Sequence, residues 1–272
     1  MVNLVAIQMT STPNIQENLD TVAHELTKLE KGQDTLVVLP ECFARFGTRD
    51  KEQLEVAEEK DNGPIQTRLC ELAKEHACYI VSGTFPMQCG DPDKFTASCL
   101  LIGPDGHVVT EYQKIHLFDV SVDDNTGSYL ESKYTKAGEH VVVADTPIGR
   151  IGLAVCYDVR FPGLFEAMGD IDILTLPAAF TRYTGNAHWH TLVRARAIEK
   201  QCFVIAAGQV GEHANGRQTF GHSVIYSPWG DTLAEQAEGV GIVKASADIK
   251  KREELQKKMP VKDHNRFRSH FV

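Results

Sequence analysis

Two short apolar runs that both close on Leu-Pro stand at matching places in the two halves of this chain: Leu36-Val37-Val38-Leu39-Pro40 and Ile173-Leu174-Thr175-Leu176-Pro177. A continuous apolar run of this length predicts a strand covered on both faces, so each needs a packed layer on either side. The flanking segments repeat in the same order. In the first half, Val2 to Met9 reads as a buried strand, and Leu19, Val22, Ala23, Leu26 and Leu29 then fall on one helical face. Asn14 with Glu17 supplies the helix start and Gly32 the stop. A second helix starts at Pro64 with Ile65, Leu69, Leu72, Ala73 and His76 inward, Tyr79 to Phe85 is a strand, and Ser98 to Gln113 forms a hairpin turning at Pro104-Asp105-Gly106. In the second half come a strand from Ile151 to Cys156, a helical stretch after Pro162, and the strand Asp172 to Ala179. A helix from about His188 to Gln201, the strand Cys202 to Gly208, and a hairpin through Ser227-Pro228-Trp229-Gly230 complete it.

Two β-rich halves of this kind stack their sheets face to face with helices outside, which predicts an α/β fold: a four-layer α-β-β-α sandwich of two mixed sheets. At 272 residues and 42% hydrophobic, the chain can bury such a core as one domain spanning 1–272. Leu117 to His140 has no periodicity and suits a loop over the strand ends, and the charged tail from Lys250 reads as an extension toward a subunit contact. A net charge of -9 argues against nucleic acid or an anionic membrane as partner. No apolar stretch is long enough to cross a bilayer, and Met1 to Met9 lacks a positively charged start, so a cytoplasmic location is expected. Seven cysteines, scattered without ligand spacing, indicate neither a disulfide framework nor a zinc cluster.

Three reactive residues stand where strand-like runs stop: Glu41, Lys114 and Cys156. In open α/β sheets the pocket lies outside the carboxyl ends of the strands, so these side chains can meet although distant in sequence. Taken singly, each has an ordinary explanation: a buried small cysteine, a solvated glutamate, a surface lysine. A thiol needs a neighbouring cation or base to become a nucleophile, and Cys156 at a strand-to-helix transition has backbone N–H groups nearby to bind an oxyanion. His188 and His190, two apart on a helix, do not face each other and are set aside as metal ligands. Arg194, Arg196 and Glu199 suggest an ion-pair ladder or subunit contact, and Asp158 and Arg160 a structural pair or pocket wall.

Leu39-Pro40-Glu41, Tyr112-Gln-Lys114-Ile-His-Leu-Phe118, Cys156-Tyr-Asp-Val-Arg-Phe-Pro162 and Gly185-Asn-Ala-His-Trp189, leading into Arg194-Ala-Arg-Ala-Ile-Glu199, together resemble the nitrilase superfamily of carbon-nitrogen hydrolases across nearly the whole chain. The resemblance implies the four-layer sandwich and a Glu41, Lys114, Cys156 catalytic set without cofactor or metal. Glu41 would be the general base and Cys156 the thioester-forming nucleophile. Lys114 and the Tyr157 N–H would hold the oxyanion, and Glu131 would be the supporting glutamate. The stretch Pro177-Ala-Ala-Phe180-Thr181, with Thr184 to Trp189 and Gly216 to Ser223, is most similar to the branch that holds deaminated-glutathione amidase and ω-amidase. That implies a small amide substrate and a homodimer or higher homo-oligomer; Phe180, Thr181 and Arg182 follow a strand end and are expected at the pocket mouth, with Arg182 or Arg217 on a substrate carboxylate. True nitrilase or N-carbamoyl hydrolase activity, or a redox role for Cys156, are the competing readings.

Overall fold

A computed structural model describes residues 1–30, 32–124 and 126–267. The strands of the first half are β1 (Val2–Gln8), β2 (Thr35–Val38), β3 (Tyr79–Val81), β4 (Phe85–Gln88), β5 (Phe95–Ile102) and β6 (Val108–Gln113). Short strands β7 (Asp119–Ser121), β8 (Ser128–Leu130) and β9 (Thr135–Lys136) follow. The second half holds β10 (Val143–Thr146), β11 (Gly149–Leu153), β12 (Ile173–Ala178), β13 (Phe203–Gly208), β14 (Val210–Glu212), β15 (Gln218–Phe220), β16 (Ser223–Tyr226), β17 (Thr232–Gln236) and β18 (Gly241–Ala247). The helices are α1 (Ile15–Leu26), α2 (Pro64–His76), α3 (Pro162–Ala167), α4 (Arg182–Lys200), α5 (Ile249–Lys258) and α6 (Val261–His264).

The first sheet runs β18-β1-β2-β3-β5-β4, with β6 and β9 also on β5, and the second runs β10-β11-β12-β13-β16-β17. Each has a parallel centre: β1 to β2 to β3, with Val5 opposite Val37 and Val37 opposite Ile80, and β11 to β12 to β13, with Ile173 opposite both Ile151 and Phe203. Strand alternation sorts the core. Val5, Ile7, Val37, Leu39 and Ile80 pack with Leu19, Val22, Leu26, Leu69 and Leu72 of α1 and α2. Leu4, Ala6, Leu36, Val38 and Val81 face the other way, into a cluster with Leu153, Leu176, Ala206 and Val224 of the second sheet and Trp189 and Val193 of α4. The four layers are therefore helices, sheet, sheet, helices, as the paired apolar runs predict.

Several boundaries differ from the sequence reading. α4 starts six residues early because Thr181 caps it, its hydroxyl accepting from the Thr184 N–H at 3.2 Å. α1 is capped by Asn14 as expected but ends at Leu26, well before Gly32. His76 is half-buried on α2, and the Tyr79 to Phe85 segment breaks into β3 and β4 at Gly83. The halves also exchange an element: β18, late in the chain, pairs antiparallel with β1 and closes the edge of the first sheet. The Arg194, Arg196 and Glu199 ladder resolves into an Arg196–Glu199 ion pair, while Arg194 lies over the Tyr226 ring.

The charged tail folds back on its own chain. Arg252 of α5 is buried, pairs with Asp170 and with Asp172 (2.6 Å), and its Nε donates to the Gln201 carbonyl at 2.9 Å. The last five residues of the tail, 268–272, lie outside the described residues. Buried polar groups also join the halves near the strand ends. Gln209 donates from Nε2 to the Ser11 hydroxyl (2.7 Å) and to the Glu41 carbonyl (3.0 Å), and accepts from the Ser11 N–H. His213 donates from Nδ1 to the Ser11 carbonyl (3.1 Å) and accepts at Nε2 from the Thr219 hydroxyl (2.9 Å).

Arg252→Met takes the buried cation from Asp170, which keeps Lys262 (3.6 Å) and Gln256 (3.1 Å), and from Asp172, which keeps the Arg150 N–H (2.7 Å), and is expected to lower stability by about 2–3 kcal/mol, the lower side for a buried pair because Asp170 is a third exposed. Chemical denaturation measures it. Burial lowers the His213 pKa to about 4. Between the ordinary value of 6.5 and that one, the unfolded chain holds more protons, so stability falls as pH falls. The expected loss through this group is about 3 kcal/mol over that window. Denaturant midpoints of wild type and His213→Gln, compared at both ends of the window, should show the slope flatten in the variant.

Candidate active site

Glu41, Lys114 and Cys156 arrive from three strand ends, as their positions predict, and meet in one buried cluster. Glu41 lies just past β2, where the backbone turns sharply. Cys42 is left-handed (φ 55°) and donates its N–H to the Thr84 hydroxyl at 2.8 Å. Gly83 crosses so close that a Cβ there would stand 2.0 Å from the Pro40 carbonyl oxygen, which only glycine accommodates. Lys114 is the first residue after β6, its N–H donating to the Ala97 carbonyl (3.0 Å) and its carbonyl accepting from Gly138 (2.9 Å). Cys156 opens a 3-10 turn, Cys156–Arg160, three residues after β11, with a left-handed φ of 49°. A non-glycine residue held there costs about 1–2 kcal/mol, a strain characteristic of functional positions.

The Lys114 ammonium donates to Glu41 Oε1 at 2.7 Å and to Glu131 at 2.8 and 3.0 Å. Glu41 Oε2 accepts from the Ala179 N–H (2.8 Å), and Glu131 Oε2 from the Phe118 N–H (2.6 Å). Glu131 therefore sits where the resemblance put it, delivered by a 3-10 turn within the irregular Leu117 to His140 segment.

Burial works against every charge here. It would lower the Lys114 pKa, but Glu131 and Glu41 hold it well above the ordinary lysine value. Burial would likewise raise Glu41, yet Lys114 and an interaction with the Cys156 thiol keep it below the usual carboxylate value. For Glu131, burial and repulsion by Glu41 prevail over Lys114 and push it up. The two carboxylates are thus driven apart, Glu41 being the more acidic. Burial and the Glu41 charge also push the Cys156 thiol well above its normal value, against Lys114. Of the cation or base that the sequence reading asked for beside this thiol, the base is the one that matters: a raised thiol pKa favours the protonated form, with the Glu41 carboxylate beside it to take the proton.

The turn that presents Cys156 is braced from below. Asp158 is fully buried and accepts from the Val155 N–H (2.8 Å), the Tyr112 hydroxyl (2.7 Å) and the His116 N–H (3.1 Å), with His116 Nδ1 at 2.7 Å. Asp158 does not pair with Arg160, which instead lies over the Phe180 and Tyr157 rings.

Above the cluster opens a pocket lined by Tyr157, Phe180 and Thr181, as expected, and by Thr184, Arg45, Phe46, Gln53, Phe118, Tyr129 and Arg217. Arg182 is not in it: it is the first residue of α4, with an exposed side chain. Arg217 is, stacked between Phe46 (5.0 Å) and Tyr129 (4.8 Å). Among the described residues, the Nε atoms of Arg217 and Arg45 and the Oε1 of Gln53 are buried without a hydrogen-bond partner. Arg45, Gln53 and the Ala179 N–H escaped the sequence reading, since they come from an aperiodic loop or from the backbone.

The carbon-nitrogen hydrolase profile matches residues 4–257. The chain is 40% identical to the deaminated glutathione amidase of Yersinia enterocolitica, covering 99% of this chain and 95% of that one. It is 39% identical to the mouse (Mus musculus) protein of the same name, over 97% and 83%. Saccharomyces cerevisiae Nit3, described as a member of branch 10 of the nitrilase superfamily, superposes with a TM-score of 0.86 at 29% identity, over 98% and 97% of the two chains. The chain belongs to the carbon-nitrogen hydrolase family of the nitrilase superfamily, hydrolases of carbon–nitrogen bonds other than peptide bonds.

Proposed function

We propose that the chain hydrolyses linear amides of α-keto acids, deaminated glutathione foremost, through a thioester on Cys156. The observation that carries the reading is the Lys114 ammonium clamped between Glu41 and Glu131 beside the buried Cys156 thiol, whose pKa burial pushes up. Glu41 takes the thiol proton as Sγ adds to the amide carbon. Lys114 makes three contacts to the carboxylates, and the two to Glu131 can share one bifurcated N–H, which frees the third donor for the oxyanion. The Tyr157 N–H, in the first turn of its 3-10 segment, is the second donor, each contributing about 3 kcal/mol to transition-state stabilisation. Glu41 then protonates the leaving amine as the C–N bond breaks, and later deprotonates the water that releases the acid and restores the thiol. Glu131 fixes Lys114 and keeps it charged.

Substrate choice rests on the polar wall opposite Cys156. Among the described residues Arg217 forms no ion pair, and it is held flat between two rings, ready to receive a carboxylate of the substrate. Arg45 is already balanced by Glu52 (3.9 Å) and Glu55 (3.6 Å), so it is the weaker anion site. Deaminated glutathione carries a carboxylate at each end, and the shorter α-ketoglutaramate only one.

The subunit reading comes with it. Trp229 (62% exposed) and Ile198 (44%) adjoin across the Gly230 turn, an apolar patch on the α4 face suited to a homodimer. Seven free thiols and the lack, among the described residues, of a helix able to cross a membrane suit the reducing cytoplasm.

Cys156→Ala and Glu41→Gln are each expected to lower kcat by about a thousandfold or more while the far-ultraviolet circular dichroism stays native. Mass spectrometry of wild type quenched in turnover should find one acyl adduct, on Cys156; an adduct elsewhere reassigns the nucleophile. Deaminated glutathione should be cleaved faster than α-ketoglutaramate, and both far faster than nitriles. Arg217→Met should cut kcat/KM for deaminated glutathione about 10- to 100-fold. Product assays far below saturation decide this, and a preference for α-ketoglutaramate would make the chain an ω-amidase.

A further inference from the structure

Away from the pocket, His190 of α4, His222 just before β16, and Glu235 of β17 point three donor atoms at one spot. His190 Nε2 is 3.2 Å from His222 Nδ1 and 3.4 Å from Glu235 Oε1, and the latter two are 2.7 Å apart. The edges of a tetrahedral zinc shell with ordinary Zn–N and Zn–O bonds are about 3.3–3.5 Å. Two of the three separations are thus within about 0.1 Å of that shell, and the third opens once a shared proton leaves. One proton between His222 Nδ1 and Glu235 satisfies that pair, which leaves His190 Nε2 facing a nitrogen that has already donated.

Each ring is held in place by groups outside the triad. His190 Nδ1 lies 3.0 Å from the hydroxyl of buried Tyr226; donating there fixes the tautomer that leaves the Nε2 lone pair free. The His222 ring stacks on Phe220 (centroids 4.1 Å apart, planes at 17°). Its backbone is left-handed (φ 51°), with the carbonyl accepting from Trp189 Nε1 at 2.8 Å. Arg194, over the other side of Tyr226 at 5.1 Å, opposes a cation; Glu235 supplies the compensating charge. His188, the partner suggested by sequence spacing, faces Arg160 instead (3.2 Å).

We propose that His190, His222 and Glu235 form a binding site for a divalent cation of the zinc class, completed by water, that ties α4 to the β16–β17 hairpin. The N2O donor set, two imidazoles and a carboxylate, selects borderline cations over calcium or magnesium. The site is independent of the amidase reading, because none of its residues lines the pocket.

The test uses the full chain carrying Cys156→Ala, which removes the thiol at the pocket as a competing ligand. Calorimetric titration with zinc should show one saturable site, weakened at least about tenfold by His190→Gln, by Glu235→Gln and by Tyr226→Phe, the last of which keeps all three ligands. Cobalt in its place should give four-coordinate visible bands without thiolate-to-cobalt charge transfer. A histidine-labelled sample should move two imidazole resonances of the eleven on zinc addition, a readout that needs no further variant. Lack of a saturable site, thiolate charge transfer, unchanged affinity in the variants, or shifts confined to other histidines would each overturn the proposal.

Discussion

A lysine ammonium only 2% exposed is the constraint on which the rest of this site depends. Taking that charge out of water costs several kcal/mol, and the cost is met only if well-placed anions surround it. The chain brings two, from segments far apart: Glu41 beyond β2 and Glu131 from the loop over the strand ends. Burying Lys114 therefore anchors Phe118 and Glu131 of the loop over the strand ends. The link is direct, because the carboxylate that touches Lys114 also accepts the Phe118 N–H and so fixes an aromatic that lines the pocket. The same arrangement sets the acidities. One cation between two carboxylates cannot serve both equally, and Glu131, partly buried and repelled by Glu41, is the one driven up. That leaves Glu41, nearer the thiol, ionised and able to accept its proton.

Thiol acidity does not by itself distinguish a nucleophile here. Burial pushes Cys42, Cys78 and Cys202 up to about 12, and Cys156 is raised as well. Cys42 even lines the same pocket, next in sequence to Glu41. What sets Cys156 apart is its company: a carboxylate that interacts with its thiol, a lysine with a donor to spare, and a 3-10 turn whose strained first residue is braced by Asp158. Asp158 shows why the motif extends past the nucleophile. Its four hydrogen-bond contacts reach Val155, Tyr112 and His116, so it ties the Cys156 turn to the strand that delivers Lys114.

The layers were legible in the sequence because strands buried on both faces have no other reading than near-continuous apolar runs, and β2 and β12 both have them. The helix faces of α1 and α2 followed from periodicity for the same reason. What periodicity could not carry was partnership across long separations. That β18 would join β1 rather than its own half, or that Arg252 would find Asp170 and Asp172, leaves no local trace, since a charged tail reads alike whether it is solvated or docked. The pocket was legible to the same extent. Residues at strand ends were found from position and Arg217 was among the candidates, whereas Arg45 and Gln53 reach it from a loop and a 3-10 turn whose path is set by contacts. Arg182, one residue past a pocket-lining threonine, points away because the helix that Thr181 caps rotates it outward.

Left-handed backbone at non-glycine residues marks the places where contact overrules local preference. Cys42, Cys156 and His222 each adopt it; Cys42 and His222 are held by hydrogen bonds from other elements, and Cys156 is bracketed by the bond from the Val155 N–H to Asp158. At Cys42 and Cys156 the consequence is the convergence of Glu41 and the thiol on one point from two different sheets. At His222 it turns an imidazole toward His190 and Glu235 on the far side of Phe220. Phe220 links the two regions: its ring packs so tightly on Gly185 that a Cβ there would approach within 2.3 Å, and its N–H donates to the carbonyl of pocket-lining Phe180 at 3.0 Å. Whatever restrains His222 therefore also restrains the Phe180 wall of the pocket.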